Sequence, residues 1–429
     1  MNHRAPRFPT PEDLYSPAAA PSVPIGARRS GEGLTLECRL EEQPAAGYTV
    51  EEVSDLEGFA ALRPAWDDLL SASPDADFFL SYEWISTLIG QRWAGRPFHV
   101  LLVRSGGKPV GLAPLLPDQD GDLWCRGSLV VPIMRPGLRS GILASGACEP
   151  VLDALLSHLH RVNGHVPLYV RTRRDSRMVA ALKSLTTRFP LEAVALPHSL
   201  RPVARIDGTW EEYLASRPGH VRTELRRKVR RLESAGSIRF VTARTPAECD
   251  GAMEDLLRVE ALSWKDPQQA SLPASGASDF YREVARRASE RGWMRIYLLY
   301  LDSMPIAHVY GVAYRGQLMA MKTAYDEAYA RLAPGIVLFA RILEQARAEG
   351  IEELDFMGVA SRWKREFATG TTHDVGICLY PSHSLRCRFC SAYKLSVRPY
   401  LKRRVELLRR NGGGQARGSK PEGNGRDAD

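Results

Sequence analysis

Two stretches far apart in this chain are written to one pattern, and that repetition constrains the fold more than any single motif. Pro97 to Pro117 reads PFHVLLVRSGGKPVGLAPLLP, an apolar run, a polar turn at Ser105-Gly106-Gly107, a proline and a second apolar run. Arg295 to Tyr325 reads RIYLLYLDSMPIAHVYGVAYRGQLMAMKTAY, with the same order. Short apolar runs around such a turn predict a hairpin. Lys108-Pro109-Val110-Gly111 stands in the first where Met304-Pro305-Ile306-Ala307 stands in the second, so two copies of one unit are expected.

Helix-period segments flank the hairpins. Asp55 to Leu70 and Ser81 to Trp93 read as helices in front of the first, and the alternation of helices with strands favours an α/β architecture. A length of 429 residues suits two such units at about 150 residues each. The first forty or so residues are rich in Pro, Ala, Gly and Arg without periodicity, and residues 411–429 are Gly-rich and polar, so both ends are expected to be disordered. No apolar run approaches the roughly 18 residues that cross a bilayer, and the start lacks a signal-type apolar region. A cytoplasmic location is expected. Seven cysteines without regular spacing do not make a disulfide framework, and the lone pair Cys387 and Cys390 is too little for a zinc site, so no metal is assigned.

The formal charge of +8 is concentrated in Arg171–Arg177, Arg222–Arg231 and Arg398–Arg410. In HVRTELRRKVRRLESAG, Val221, Leu225, Val229 and Leu232 fall on one helical face, leaving Arg226, Arg227 and their neighbours on a basic remainder. Coenzyme A, a nucleotide-sugar, a polyprenyl-phosphate lipid, an acidic membrane surface and tRNA would all satisfy that electrostatics. No nucleophile elbow, Walker loop or DNA-binding motif is present. The basic segment 386–410 reads as an amphipathic helix, suited either to peripheral membrane contact or to packing on the domain edge.

Met321 to Gly370 carries the chemistry. It reads as a strand end, a turn with Pro334-Gly335, a helix to about Gly350, a strand Glu353–Phe356 and a basic aromatic segment. A Gly after Pro at a helix start lets backbone N–H groups approach an anion. The order TAYD, APG, LDF and WKREF resembles the BioF2-like branch of the GNAT acetyltransferase superfamily, which includes cellulose-biosynthesis-type acetyltransferases and is related to the FemAB aminoacyl transferases. The resemblance runs from Tyr48 to Tyr380 and is densest after Thr223.

The resemblance implies a tandem GNAT-like acyl-CoA N-acyltransferase fold of two mixed-sheet halves with flanking helices. An acceptor-side half is expected over 46–205 and a donor half over 206–385, between a disordered segment 1–45 and the C-terminal helix and tail. Acyl-CoA would be a co-substrate, with no cofactor permanently bound. Its pyrophosphate would lie on Arg331 and the backbone of Ala333, Pro334, Gly335 and Ile336, and its carbonyl against the strand Lys322-Thr323-Ala324. Asp326 would orient or deprotonate the acceptor amine and Tyr325 protonate the leaving thiolate, although Asp326 serves equally well as a turn residue or helix cap. Lys364 would stabilise the oxyanion or bind an acceptor phosphate, with Asp355 as its partner. Trp363 then lines the site or packs inward with Phe367.

Glu260, Trp264 and Lys265 lie in LLRVEALSWKD, which resembles the family's helix-ending SWK segment, and Trp264 and Lys265, with His308, are acceptor-side candidates. A structural role for His308 is as well supported. Val359-Ala360-Ser361 stands where relatives often carry an acidic residue, which bears on the acceptor. The implied reaction is acyl transfer to an amine or hydroxyl of a polar acceptor, a sugar amine or a lipid-linked or nucleotide-linked precursor, in envelope or extracellular polysaccharide synthesis. Aminoacyl-tRNA-dependent transfer and a non-catalytic subunit of a polysaccharide-synthesis complex are the alternatives.

Overall fold

The computed structural model describes residues 47–117, 129–130, 139–163, 168–185, 191–196, 200–358 and 360–381. The two tails, the CxxC and the basic segment 386–410 lie outside the described residues.

The first half runs β1 (Tyr48–Val53), α1 (Leu56–Ala61), α2 (Arg63–Ala72), α3 (Tyr82–Thr87), β2 (His99–Ser105), β3 (Lys108–Pro117), β4 (Leu129–Val130), β5 (Leu143–Ala144), α4 (Cys148–Asn163), β6 (Leu168–Arg173), α5 (Arg177–Leu185), β7 (Leu191–Leu196) and β8 (Leu200–Arg205). The second runs α6 (Trp210–Ala215), α7 (Gly219–Glu233), β9 (Ile238–Ala243), α8 (Pro246–Ala261), α9 (Ser278–Glu290), β10 (Met294–Leu301), β11 (Met304–Tyr314), β12 (Gln317–Tyr325), α10 (Pro334–Ala346), β13 (Glu353–Asp355), α11 (Arg362–Phe367) and β14 (Gly370–Pro381). The single helix expected over Asp55–Leu70 is two helices that meet at Leu62, because Pro64 cannot donate into the first and instead begins the second. α8 starts cleanly because Thr245 and Glu248 form a capping box across its first turn, which Pro246 begins.

The two hairpins repeat to the residue. In β2–β3, Val103 faces Gly111 and Arg104 faces Pro109, so Val110 is an extra residue. In β10–β11, Leu299 faces Ala307 and Tyr300 faces Pro305, which leaves Ile306 extra at the same place. Each bulge turns its carbonyl to a following segment: Val110 O accepts from Ser145 N at 3.0 Å, and Ile306 O from Asp326 N at 2.9 Å.

The strands follow the order β1-β2-β3-β4-β6-β14-β8-β13-β12-β11-β10-β9, and the halves exchange strands at its centre. β8 leaves the first half to pair antiparallel with β13, while β14 pairs with β8 over Gly370–His373 and then crosses to β6 and β7. One apolar core spans both halves, with Trp84 edge-on to Phe280 at 5.3 Å and Phe78 to Trp293 at 6.2 Å between ring centres. Two further cores fill the opposite sheet faces under α4–α5 and under α7–α10. Arg315, in the β11–β12 turn, donates to the carbonyls of Leu70, Ser71 and Ser73 and so closes the C-terminus of α2 across the junction. No helix among the described residues is long and apolar enough to cross a membrane.

Candidate active site

β12 and β13 run parallel for only three pairs, Gln317 with Glu353 through Met319 with Asp355. Past Met319, β12 continues along β11 to Tyr325, and among the described residues nothing pairs with its other edge. The parted strands enclose a wedge whose one wall is Ala320 to Tyr325, including Lys322 and Thr323.

α10 begins at the far end of that wall. Ala333 enters it with left-handed backbone, φ 53° and ψ 47°, no side chain caps it, and Pro334 stands in the first turn. Pro334 has no N–H, and those of Ile336 and Val337 donate to Ala333 O, so this uncapped turn without an acidic residue leaves the Gly335 N–H and the positive end of the helix to an external partner. Gly335 brings the backbone close to Tyr325: a Cβ there would lie 3.6 Å from Tyr325 Cδ1. Arg331 is exposed just before the turn, and its carbonyl accepts from Arg231 of α7 at 3.0 Å. The α7 stripe packs as its spacing predicts, Val221, Leu225 and Leu232 being buried, while Arg226 and Arg227 are exposed and Arg227 pairs with Glu224 at 2.8 Å.

Asp326 caps the short helical turn Glu327–Leu332 by accepting from Ala328 N at 2.9 Å. Burial, with Glu327 nearby, raises the Tyr325 phenol above its ordinary value, so it stays protonated near neutral pH. Glu327 N donates to Leu262 O at 3.2 Å, which ties this loop to the end of α8 and brings the Trp264-Lys265 segment to it.

Beneath that contact lies a fully buried Glu260. Its carboxylate takes Lys265 Nζ at 2.6 Å, His308 Nε2 at 3.2 Å and Leu272 N at 3.1 Å. Burial opposes its charge, but the bond from His308 and the field of Lys265 win and hold the carboxyl far below the usual range. His308 is pushed down by burial against the pull of Glu260 and is neutral. Lys322 lies over the Tyr281 ring at 4.9 Å. His308 and Lys322 stand two positions apart in the β11–β12 register, since His308 pairs with Ala324 and Tyr310 with Lys322.

The other wall is the turn after β13. Lys364 of α11 is part-buried, and its Nζ donates to the carbonyls of Phe356 at 3.1 Å and Met357 at 2.7 Å. Trp363 packs inward, 4.9 Å from Phe339 and 5.7 Å from Phe356 between ring centres, with Phe367 buried beside them. Asp355 is not the direct partner of Lys364. Its carboxylate takes Arg201 Nη2 at 2.6 Å, lies 3.6 Å from Arg139, and accepts from Met357 N at 2.8 Å. A guanidinium already reaching down β8 satisfies it better than an ammonium occupied by two carbonyls.

Sequence reasoning missed this ionic cluster. Arg201 and Asp374 are fully buried and joined at 2.6 Å, Arg139 meets Asp374 at 3.1 Å, and Asp77 lies 4.0 Å from Arg139. Burial disfavours the charge on Asp374, yet Arg201 and Arg139 hold its carboxyl below the ordinary value, whereas at Asp77 burial wins and raises it. The signal was a charge placed inside otherwise apolar strand runs, LRPVAR and THDVGICLY.

The model of the "Acetyltransferase (GNAT) domain" family matches residues 219–365, which hold the wedge, α7, α8 and α10. No curated protein matches the sequence. Among solved structures, FemX is similar at 12% identity over 81% of this chain and 99% of that one, with a TM-score of 0.51. A tandem GNAT protein from the clavulanic acid biosynthesis pathway is 13% identical over 77% and 98%, with a TM-score of 0.44. At that identity the likeness to FemX shows the fold alone. The GNAT resemblance carried by TAYD, APG and LDF thus falls within the residues that match the GNAT domain family, 219–365, inside a mixed α/β fold similar to that of FemX.

Proposed function

We propose that the chain transfers an acyl group from acyl-CoA to an amine, or a hydroxyl, of a polar acceptor by direct attack in a ternary complex. The observation that carries this reading is the parting of β12 from β13 in front of an uncapped helix start. The pyrophosphate would rest on the first turn of α10 with Arg331, and Arg231 would brace that loop through the Arg331 carbonyl. The thioester carbonyl would meet the unpaired edge of Lys322 to Ala324, with Lys364 as the cation on the developing oxyanion. Tyr325, protonated, is suited to return a proton to the thiolate, and Asp326 is fixed where it can orient the nucleophile. Glu260, Lys265, His308 and Lys322 would form the acceptor side. Placing that acceptor in envelope or extracellular polysaccharide synthesis rests on the family resemblance.

A ligand-dependent thermal shift tests the donor. Acetyl-CoA at one hundred times its dissociation constant should stabilise the protein by about 2.7 kcal/mol, and the shift should vanish in Gly335→Glu. No shift with acetyl-CoA or longer acyl-CoAs would sink the reading. The exposed basic face of α7 favours one second reading, aminoacyl-tRNA-dependent transfer. That would appear as tRNA binding with a steep salt dependence.

A further inference from the structure

Lys364 has a capacity that stabilising an oxyanion does not use. Its Nζ meets two carbonyl oxygens, those of Phe356 at 3.1 Å and Met357 at 2.7 Å. An ammonium carries three N–H donors and an amine two. Two acceptors therefore satisfy the neutral amine in full and leave its lone pair over, whereas the third donor of the ammonium has only the Trp363 ring, 5.7 Å from Nζ to its centre. The turn that supplies the carbonyls is rigid: Met357 and Gly358 hold positive φ at 51° and 60°, and Met357 N is pinned by Asp355. A lysine at the helix surface would wander, but this one is aimed.

Its surroundings press the same way. Burial is the largest influence on Lys364, and it lowers the pKa. Asp355 on β13 pulls the other way but is shared between Arg201 and Arg139, while Arg201 on β8 and Lys265 beyond α8 add repulsion. Together they push Lys364 down to about 8. An exposed lysine holds only about one neutral amine in a thousand near pH 7.4. Lys364 holds a sizeable fraction.

We propose that Lys364 is a self-acylation site, taking the acyl group of an acyl-CoA bound in the wedge and thereby switching the chain off. The inference rests on the acyl-CoA reading of the wedge. The Nζ lone pair attacks the thioester carbonyl carbon, the C–N bond forms, and the C–S bond breaks to release coenzyme A as thiolate. The proton shed by Nζ goes to that sulfur, so the products are an Nζ-acyl-lysine amide and the free thiol. An amide nitrogen keeps one N–H and no charge. It can hold only one of the two carbonyls, and the cation proposed for the oxyanion is gone.

The test incubates the full chain with acetyl-CoA and no acceptor, then locates acetyl groups by peptide mass spectrometry. Calorimetry of acetyl-CoA binding runs beside it, with Lys364→Arg and a heat-unfolded sample as controls. One acetyl group on Lys364 of the native chain is expected, absent from that position in Lys364→Arg and from the heat-unfolded sample. Its rate should rise about tenfold per pH unit below the Lys364 pKa and level off above it. Saturable acetyl-CoA binding with Lys364 unmodified would overturn this inference and leave the donor reading standing. Equal labelling of exposed lysines, or of the unfolded chain, would also overturn it. Absence of acetyl-CoA binding would remove both.

Discussion

The two halves share a hairpin to the residue and differ at the helix that follows it. In the first, the Val110 carbonyl receives Ser145 N, and α4 then opens with Glu149 in its first turn and a buried Asp153. Ser184 Oγ donates to that Glu149 at 2.8 Å, and Arg177 donates to Gly146 O at 3.0 Å. In the second, the Ile306 carbonyl receives Asp326 N, and α10 opens without an acid or a side-chain cap, with Arg331 and Arg231 beside it. An anion is repelled at one helix start and invited at the other. The duplicated scaffold thus offers two comparable helix starts, one with a carboxylate in its first turn and one without.

The strongest way to break the comparison is to cut what joins the halves. Arg201 sits on the strand that the first half lends, and it holds Asp355 of the second half and Asp374 of the strand lent back. Arg201→Met leaves two buried carboxylates short of their cation, so stability should fall by about 3–5 kcal/mol. Urea denaturation followed by tryptophan fluorescence should show a single transition at lower denaturant. Two separated transitions, with one unmoved, would show that the halves are independent.

Next in size is an exchange of helix starts. Gly335→Glu gives α10 the carboxylate that α4 already has, and calorimetry should find acetyl-CoA binding weaker by about 100-fold or more, a loss of ~3 kcal/mol. The fold should tolerate it, because a Cβ at 335 meets only Tyr325 at ordinary contact distance. Glu149→Gln in α4 should leave acetyl-CoA binding within about twofold. A second binding site appearing in Glu149→Gln would mean that the first half is silenced by that one charge.

How much of this was legible before the structure follows from the range of each interaction. The hairpins, the α7 stripe and the Pro334-Gly335 turn are local, and periodicity or a turn dipeptide marks them. The repeat of Lys108-Pro109-Val110 in Met304-Pro305-Ile306 even marks the shared bulge. The strand exchange and the Arg139–Asp374–Arg201–Asp355 cluster unite residues from four segments, and a charged residue in a strand does not name its partner. Asp355 shows the limit: it is close to Lys364 in sequence, yet a guanidinium from β8 takes it. Glu260 was visible only as a neighbour of the SWK segment, whereas the structure makes it the anchor for Lys265 and His308 together.

Lys364 sharpens the comparison from the other wall of the wedge. Lys364→Ala should lower turnover by about 100-fold and leave the acetyl-CoA dissociation constant within about threefold, measured by steady-state kinetics and calorimetry. Activity that depends on the ammonium should fall as pH rises through about 8, whereas Lys364→Arg should show no such limb. The stability sign is separate. A lysine whose folded pKa lies below its unfolded value near 10.4 favours the fold most above 10.4, and that contribution is lost as pH falls through about 8. Equal losses in turnover and binding on Lys364→Ala would move Lys364 into the donor site.

The smallest effect tests the entry to α10 itself. Ala333 holds φ 53° and ψ 47°, a region that disfavours an L-residue by about 1–2 kcal/mol. Glycine would relieve that strain but would give the unfolded chain more freedom to lose, worth roughly 0.5–1 kcal/mol against it. Ala333→Gly should therefore gain about 0.5–1 kcal/mol in urea denaturation. The same freedom should slacken the loop that Arg231 braces, so acetyl-CoA binding should weaken by about two- to threefold. A more stable protein that binds its donor less well would mean that the strained alanine is kept for the helix start it aims, a demand the first half does not face. A variant both less stable and unchanged in binding would instead make Ala333 an ordinary packing residue, and the difference between the two helix starts would then lie in charge alone.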